Sequence, residues 1–165
     1  MKRNFSTPGG DNRRLNRELI ELGQDVIRVE ARELEKLVSA VGDSFAEALN
    51  EMLICEGRVV VLGMGKSGHI GGKVAATLAS TGTPAFFVHA GEAAHGDMGM
   101  LTSRDVALAF SNSGETEELK VLIPLLRRLG TRLIAVTGNN DSTLAKSADI
   151  HVLVEIEEEA CPLGL

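Results

Sequence analysis

The sequence predicts an α/β fold: a three-layer α-β-α sandwich, flavodoxin-like or Rossmann-like, with a five-stranded parallel sheet preceded by N-terminal helices. Three observations carry this. Short apolar runs recur at 58–62, 85–88, 106–110, 133–136 and 150–154, and the stretches between several of them have helical spacing. Strands alternating with helices of that size imply right-handed crossovers, hence parallel pairing. The whole spans 165 residues, which is one domain's worth and enough to bury roughly 70% of the unfolded surface.

Taken in order, residues 1–12 read as a disordered tail, with Ser6, Pro8, Gly9 and Gly10 and no apolar run of signal-peptide type. Residues 13–165 form the domain, with helices over 13–56 and a sheet core over 57–165. Leu19, Leu22, Val26, Val29, Leu34, Leu37 and Val41 recur at three- to four-residue steps among charges, so a long amphipathic helix is expected over 15–41, stopped by Gly42. Ser44 and Glu47 have capping-box spacing, and a second helix follows to about Cys55. Residues 63–68 read as a glycine loop and 70–79 as a small-residue helix. Residues 89–100 read as a loop, and 115–129 as a helix kinked or broken at Pro124. Ser142 caps a short helix before the last strand.

Composition narrows the function classes. Trp and Tyr are absent and five Phe are the only aromatics, which disfavours stacking platforms for sugars or single-stranded nucleic acid. A net charge of −6 disfavours a nucleic-acid partner. No apolar run approaches a membrane span, and Cys55 and Cys161 form neither a disulfide framework nor a metal motif. The expected location is the reducing cytoplasm. An anionic ligand would therefore be held by local N–H groups and a few cations, beyond the carboxyl ends of the strands.

Two loops suit such a ligand. Gly63, Gly65 and Gly68 satisfy G-x-G-x-x-G after a strand, which fits a dinucleotide site or simply a tight strand-to-helix turn. The acidic partner a dinucleotide needs is missing, because the second strand ends Phe87, Val88, His89, and a P-loop fails because Val60 stands where its first glycine belongs. Lys66 places a cation inside this glycine run. The segment Ser111, Asn112, Ser113, Gly114, Glu115, Thr116 opens a helix with three hydroxyls, suited to a tetrahedral dianion at a helix N-terminus or, more plainly, to an N-cap. His89 and His95, six apart, fit hydrogen-bonded loop residues or an incomplete metal pair. Glu115, Glu117 and Glu118 open that helix, and Glu155, Glu157, Glu158 and Glu159 follow the last strand.

Together these segments resemble the sugar isomerase (SIS) domain, and more narrowly the arabinose 5-phosphate isomerases. The likeness rests on VLGMGKSGHIGGKVAATLASTGTPAFFVHAGEAAHGDMGM, SNSGETEEL and EEEACPLGL, within about residues 15–165. It implies an intramolecular oxidoreductase interconverting D-ribulose 5-phosphate and D-arabinose 5-phosphate, for synthesis of the lipopolysaccharide sugar Kdo. By the same likeness Ser111, Ser113 and Thr116 match the phosphate-binding loop, and Lys66, Glu118 and Glu159 match catalytically relevant positions. Gly82, Thr83, His89 and His95 match substrate contacts. His89 is also where the family takes an inhibitory zinc, though the reaction needs neither metal nor cofactor. Full-length members continue into a His-bearing linker and a CBS pair, whereas this sequence stops at Leu165.

Aldose–ketose isomerisation requires a carbon base, a hydroxyl proton shuttle and enediolate stabilisation. Glu159, ahead of Glu118, takes the first role. His89 or His95 takes the second, and Lys66 the third. The family also implies a homotetramer, in which neighbouring copies can share a site. Alternatives that fit the same residues are a non-catalytic sugar-phosphate-binding SIS regulatory module or another sugar-phosphate isomerase.

Overall fold

In a computed structural model of the chain, residues 12–161 are described. The expected tail falls almost wholly outside them, as does the end of the EEEACPLGL segment. The described residues divide into two compact units: 12–39 together with 156–161, and 40–155.

The second unit contains the sheet. Strands β1 (Val59–Gly63), β2 (Ala85–His89), β3 (Val106–Phe110), β4 (Arg132–Thr137) and β5 (Ile150–Leu153) pair in parallel in the order β2-β1-β3-β4-β5. All five expected strands are present, with ends shifted by at most one residue. Alternation along them builds two cores. Val60, Leu62, Ala107, Ala109, Leu133 and Ala135 pack with Leu119, Leu122, Ile123, Leu126 and Leu144, from helices α5 (Glu117–Leu129) and α6 (Thr143–Ser147). Val59, Val61, Val106, Leu108 and Ile134 pack on the other face with Ala48 and Ala75, from α2 (Asp43–Leu53) and α3 (Gly65–Ser80). A parallel sheet buried on both faces needs such continuous apolar strands.

Several local expectations are corrected. Helix α3 begins at Gly65, so most of the expected glycine loop is its first turn, closed by Gly68 N–H to the Met64 carbonyl at 3.0 Å. Gly63 and Gly68 let strand and helix touch: a Cβ on Gly63 would lie 3.0–3.1 Å from the backbone of Ser67 and Gly68. That packing need accounts for the glycine pattern. Residues 89–100 are not a loop either, since they contain α4 (Ala90–Ala94) and a 3-10 turn at Asp97–Met100. The Ser44 capping box does not form, because α2 starts at Asp43, two residues earlier than a Ser44 cap would place it, with extended Gly42 as its N-cap. Helix α5 runs through Pro124 unbroken. The ring is on the solvent-exposed side, where a lost backbone bond is least costly. Ser142 does cap α6, its Oγ accepting from Ala145 N–H at 3.2 Å.

In the first unit, helix α1 (Asn12–Ala40) is amphipathic as expected, yet Leu19, Ile20, Ile27, Leu34 and Val38 are exposed. Among the described residues no helix is long and apolar enough to cross a membrane.

Candidate functional site at the strand order reversal

The strand order reverses between β1 and β3, so the connections leaving these neighbours run to opposite faces and open a crevice at their carboxyl ends. Gly63 and Phe110 are register partners there. One wall is Met64, Gly65 and Lys66, entering α3; the other is 111–116, entering α5. Lys66 is exposed and forms no hydrogen bond or ion pair with the described residues, so its ammonium is available to a ligand.

The 111–116 segment is held from below. Buried Ser111 donates its N–H to the Val136 carbonyl at 3.1 Å, and its Oγ accepts from Gly114 N–H at 3.0 Å. The same Oγ shares a hydrogen bond of 2.8 Å with Thr116 Oγ1. Thr116 is the N-cap of α5, but its hydroxyl does not cap the helix, so the first-turn amides of Glu117 and Glu118 face outward without side-chain acceptors. Ser113 is exposed, its Oγ accepting from Glu115 N–H at 3.2 Å. This is a cradle of hydroxyls and amides at the positive end of a 13-residue helix.

The acid inside the cradle points elsewhere. Glu115 accepts from Thr143 N–H at 2.6 Å and Thr143 Oγ1 at 3.0 Å, and pairs with Lys120 at 3.3 Å. The Thr143 amide is the main cause holding its carboxyl below the usual value, with Thr143's hydroxyl and Lys120 adding to it against the opposing effect of burial. The charge thus serves the α6 terminus and leaves the cradle mouth clear. Gly114 adopts φ +67°, and its α-carbon lies against Ser142. Leu144 N–H bonds the Gly114 carbonyl at 3.1 Å, so the cradle and the α6 terminus form one block.

Sequence reasoning missed a polar pair beside this block, formed by buried Thr137 and half-buried His151. His151 Nε2 lies 2.9 Å from Thr137 Oγ1. Thr137 donates to the Asn139 carbonyl and accepts from Asn139 N–H, so its remaining lone pair takes the proton from His151 Nε2. Burial holds the imidazole below its ordinary value. The folded protein therefore binds this proton less readily than the unfolded chain. The stability this contributes is complete above the unfolded value of about 6.5 and is lost as pH falls from there through the folded value. Urea midpoints are expected to drop on acidification below about pH 6.5, and His151→Gln should flatten that part of the profile.

The other candidates are distributed unevenly. His89 ends β2 beside Gly63, exposed at the same carboxyl edge. His95 ends α4, also exposed, and Glu118 is half-buried in the first turn of α5. Gly82 and Thr83 lie at the opposite edge, before β2, in a pocket with Met52, Cys55, Val59 and Pro84. A five-residue strand, about 16 Å, separates them from the crevice. Glu159 is exposed in the first unit, in the irregular segment after β5. Among the described residues no group of three or more His, Cys, Asp or Glu could hold a metal ion.

Comparison with known proteins agrees with this architecture. Residues 52–164 match the SIS domain family. Over 145 residues the chain is 54% identical to the Escherichia coli arabinose 5-phosphate isomerase KdsD, covering 88% of this chain and 44% of that protein. It therefore spans under half the length of this curated relative. A solved Escherichia coli CFT073 protein in complex with arabinose 5-phosphate superposes with a TM-score of 0.87 at 43% identity, over 91% of this chain and 80% of that one. A putative sugar-phosphate isomerase from Listeria monocytogenes gives a TM-score of 0.83 at 30% identity, over 95% and 81% of the two chains. The chain belongs to the SIS domain family.

Proposed function

We propose that the protein is an aldose–ketose isomerase interconverting D-arabinose 5-phosphate and D-ribulose 5-phosphate, in the cytoplasm, for Kdo and lipopolysaccharide synthesis. The observation that carries the reading is the hydroxyl-and-amide cradle of Ser111, Ser113 and Thr116 at the strand reversal, with Lys66, which has no ion pair among the described residues, on the facing wall. The KdsD relatives and the neighbour solved with arabinose 5-phosphate support it.

In this scheme the cradle binds the 5-phosphate and presents the open-chain sugar to the crevice. Glu159, or in its place Glu118, removes the C2 proton of the aldose. The resulting enediolate is reprotonated at C1, while the hydroxyl proton passes from O2 to O1. Lys66 stabilises the negative oxygen, and His89 or His95 opens the ring or moves the hydroxyl proton. No cofactor enters these steps.

Gly82 and Thr83 sit a strand length from the cradle, so their contact with substrate requires a second copy of the chain. The exposed apolar residues of α1 support helix-mediated assembly, with a homotetramer as the proposed state.

The test is incubation with D-arabinose 5-phosphate in D2O, followed by NMR and mass spectrometry. Ribulose 5-phosphate carrying deuterium at C1 is the expected product. Saturable binding without product or label would instead identify a regulatory module, and faster turnover of six-carbon phosphates would reassign the substrate.

A further inference from the structure

We propose that Glu33 is a positioning residue for this reaction: it clamps the irregular segment 156–160 onto α1 and thereby fixes Glu159. The inference rests on the reading of Glu159 as the carbon base, and the experiment below separates the two.

Segment 156–160 has no helix or strand of its own, and the last sheet-type bond before it is Val154 N–H to the Thr137 carbonyl. Its order comes from α1. Glu33 Oε2 accepts from Glu157 N–H at 2.9 Å, and Oε1 accepts from Lys36 Nζ at 2.7 Å. Lys36 also reaches the Glu157 carboxylate at 2.6 Å. One residue before Glu33, Arg32 pairs with Glu158 at 2.7 Å. Both residues preceding Glu159 are therefore tied to α1, one of them through its main chain. Leu34 and Leu37 complete the clamp, lining a groove with Ile156, Glu159 and Ala160.

Glu33 is the buried residue of α1 among those described, on a 29-residue helix whose large apolar side chains are exposed or half-buried. Burying a carboxylate where Leu or Ile stays in water is costly unless the charge is paired and hydrogen-bonded. The Lys36 bond, first, and the Glu157 amide hold its carboxyl below the usual range despite that burial. Helix packing does not explain this choice of residue, whereas capture of a main-chain amide two positions before Glu159 does. Arg32, Glu33 and Lys36 present the three polar groups from one stretch of helix, so the clamp is encoded locally.

Misplacing a reacting group by about 1 Å costs on the order of 10²-fold in turnover, so Glu33→Ala should lower kcat by about 30- to 100-fold. KM for arabinose 5-phosphate should stay within about twofold, because other residues hold the phosphate. Glu33→Gln keeps an acceptor for the Glu157 amide and should recover turnover to within about tenfold of wild type. The decisive arm is a double-mutant cycle. If Glu33 acts through Glu159, adding Glu33→Ala to Glu159→Gln should change kcat by less than about twofold. A Glu33→Ala enzyme with wild-type kcat, or effects that multiply in the double variant, would overturn the positioning role. Wild-type turnover by Glu159→Gln would overturn the base assignment itself. Should Glu33→Ala fold poorly, Lys36→Met removes the shared cation and must show the same non-additivity with Glu159→Gln.

Discussion

Gly114→Ala should raise KM for D-arabinose 5-phosphate by at least about 30-fold while lowering the thermal midpoint by several degrees. Two effects combine. At φ +67° a residue with a Cβ is strained by about 1–2 kcal/mol. The added carbon would also overlap the side chain of Ser142, which caps α6. Relief requires Gly114 to move, and with it the Gly114 N–H that bonds Ser111 Oγ and the carbonyl that accepts from Leu144. The hydroxyls and amides of the cradle are held by those bonds, so their alignment is lost with them. Ser113→Ala is the companion variant. It keeps the bonds of Gly114 and removes one exposed hydroxyl, which also accepts from Glu115 N–H, so its KM should rise by about tenfold, the scale of one hydrogen bond to a charged group. A parallel steady-state comparison of both variants checks the order of these effects.

Lys66→Ala should lower kcat by at least ~10²-fold, the scale of losing one donor to a developing oxyanion. Folding stability should hardly change, because Lys66 is exposed and its side chain makes no hydrogen bond or ion pair with the described residues. That combination separates a role in the reaction from a role in the scaffold. Near wild-type turnover would remove Lys66 from the reacting atoms and leave the crevice without its cation.

How much the sequence reveals depends on the range of the physics involved. The five strands are legible because parallel strands covered on both faces must be continuously apolar, and Val59 to Leu62 or Val106 to Phe110 cannot be anything else in this context. The Ser111–Thr116 cradle and the Ser142 cap are legible because both are set within a few residues of chain. The glycine run is misleading: Gly63 and Gly68 answer a contact between β1 and α3, so a pattern suggesting a loop turns out to be a helix start. The residues at 89–100 fold into short helical turns that carry too few residues for a periodic signal. Glu115, His151 and Glu33 are invisible in another sense. Their partners Thr143, Thr137 and Glu157 lie 28, 14 and 124 positions away, and no local spacing announces a polar contact of that range. Gly82 and Thr83 show a further limit, because motif resemblance groups residues that one chain places at opposite edges of the sheet.

The binding of the phosphate by the 111–116 cradle underlies every role assigned above. It is tested most directly by following backbone amide resonances while D-arabinose 5-phosphate is added, with unphosphorylated D-arabinose as the control. The amides of Ser113, Gly114, Glu117 and Glu118 should shift saturably with the phosphate ester and hardly at all with the free sugar. If the ester saturates the protein while these amides stay in place and others move, the phosphate is bound elsewhere and the functional account is wrong.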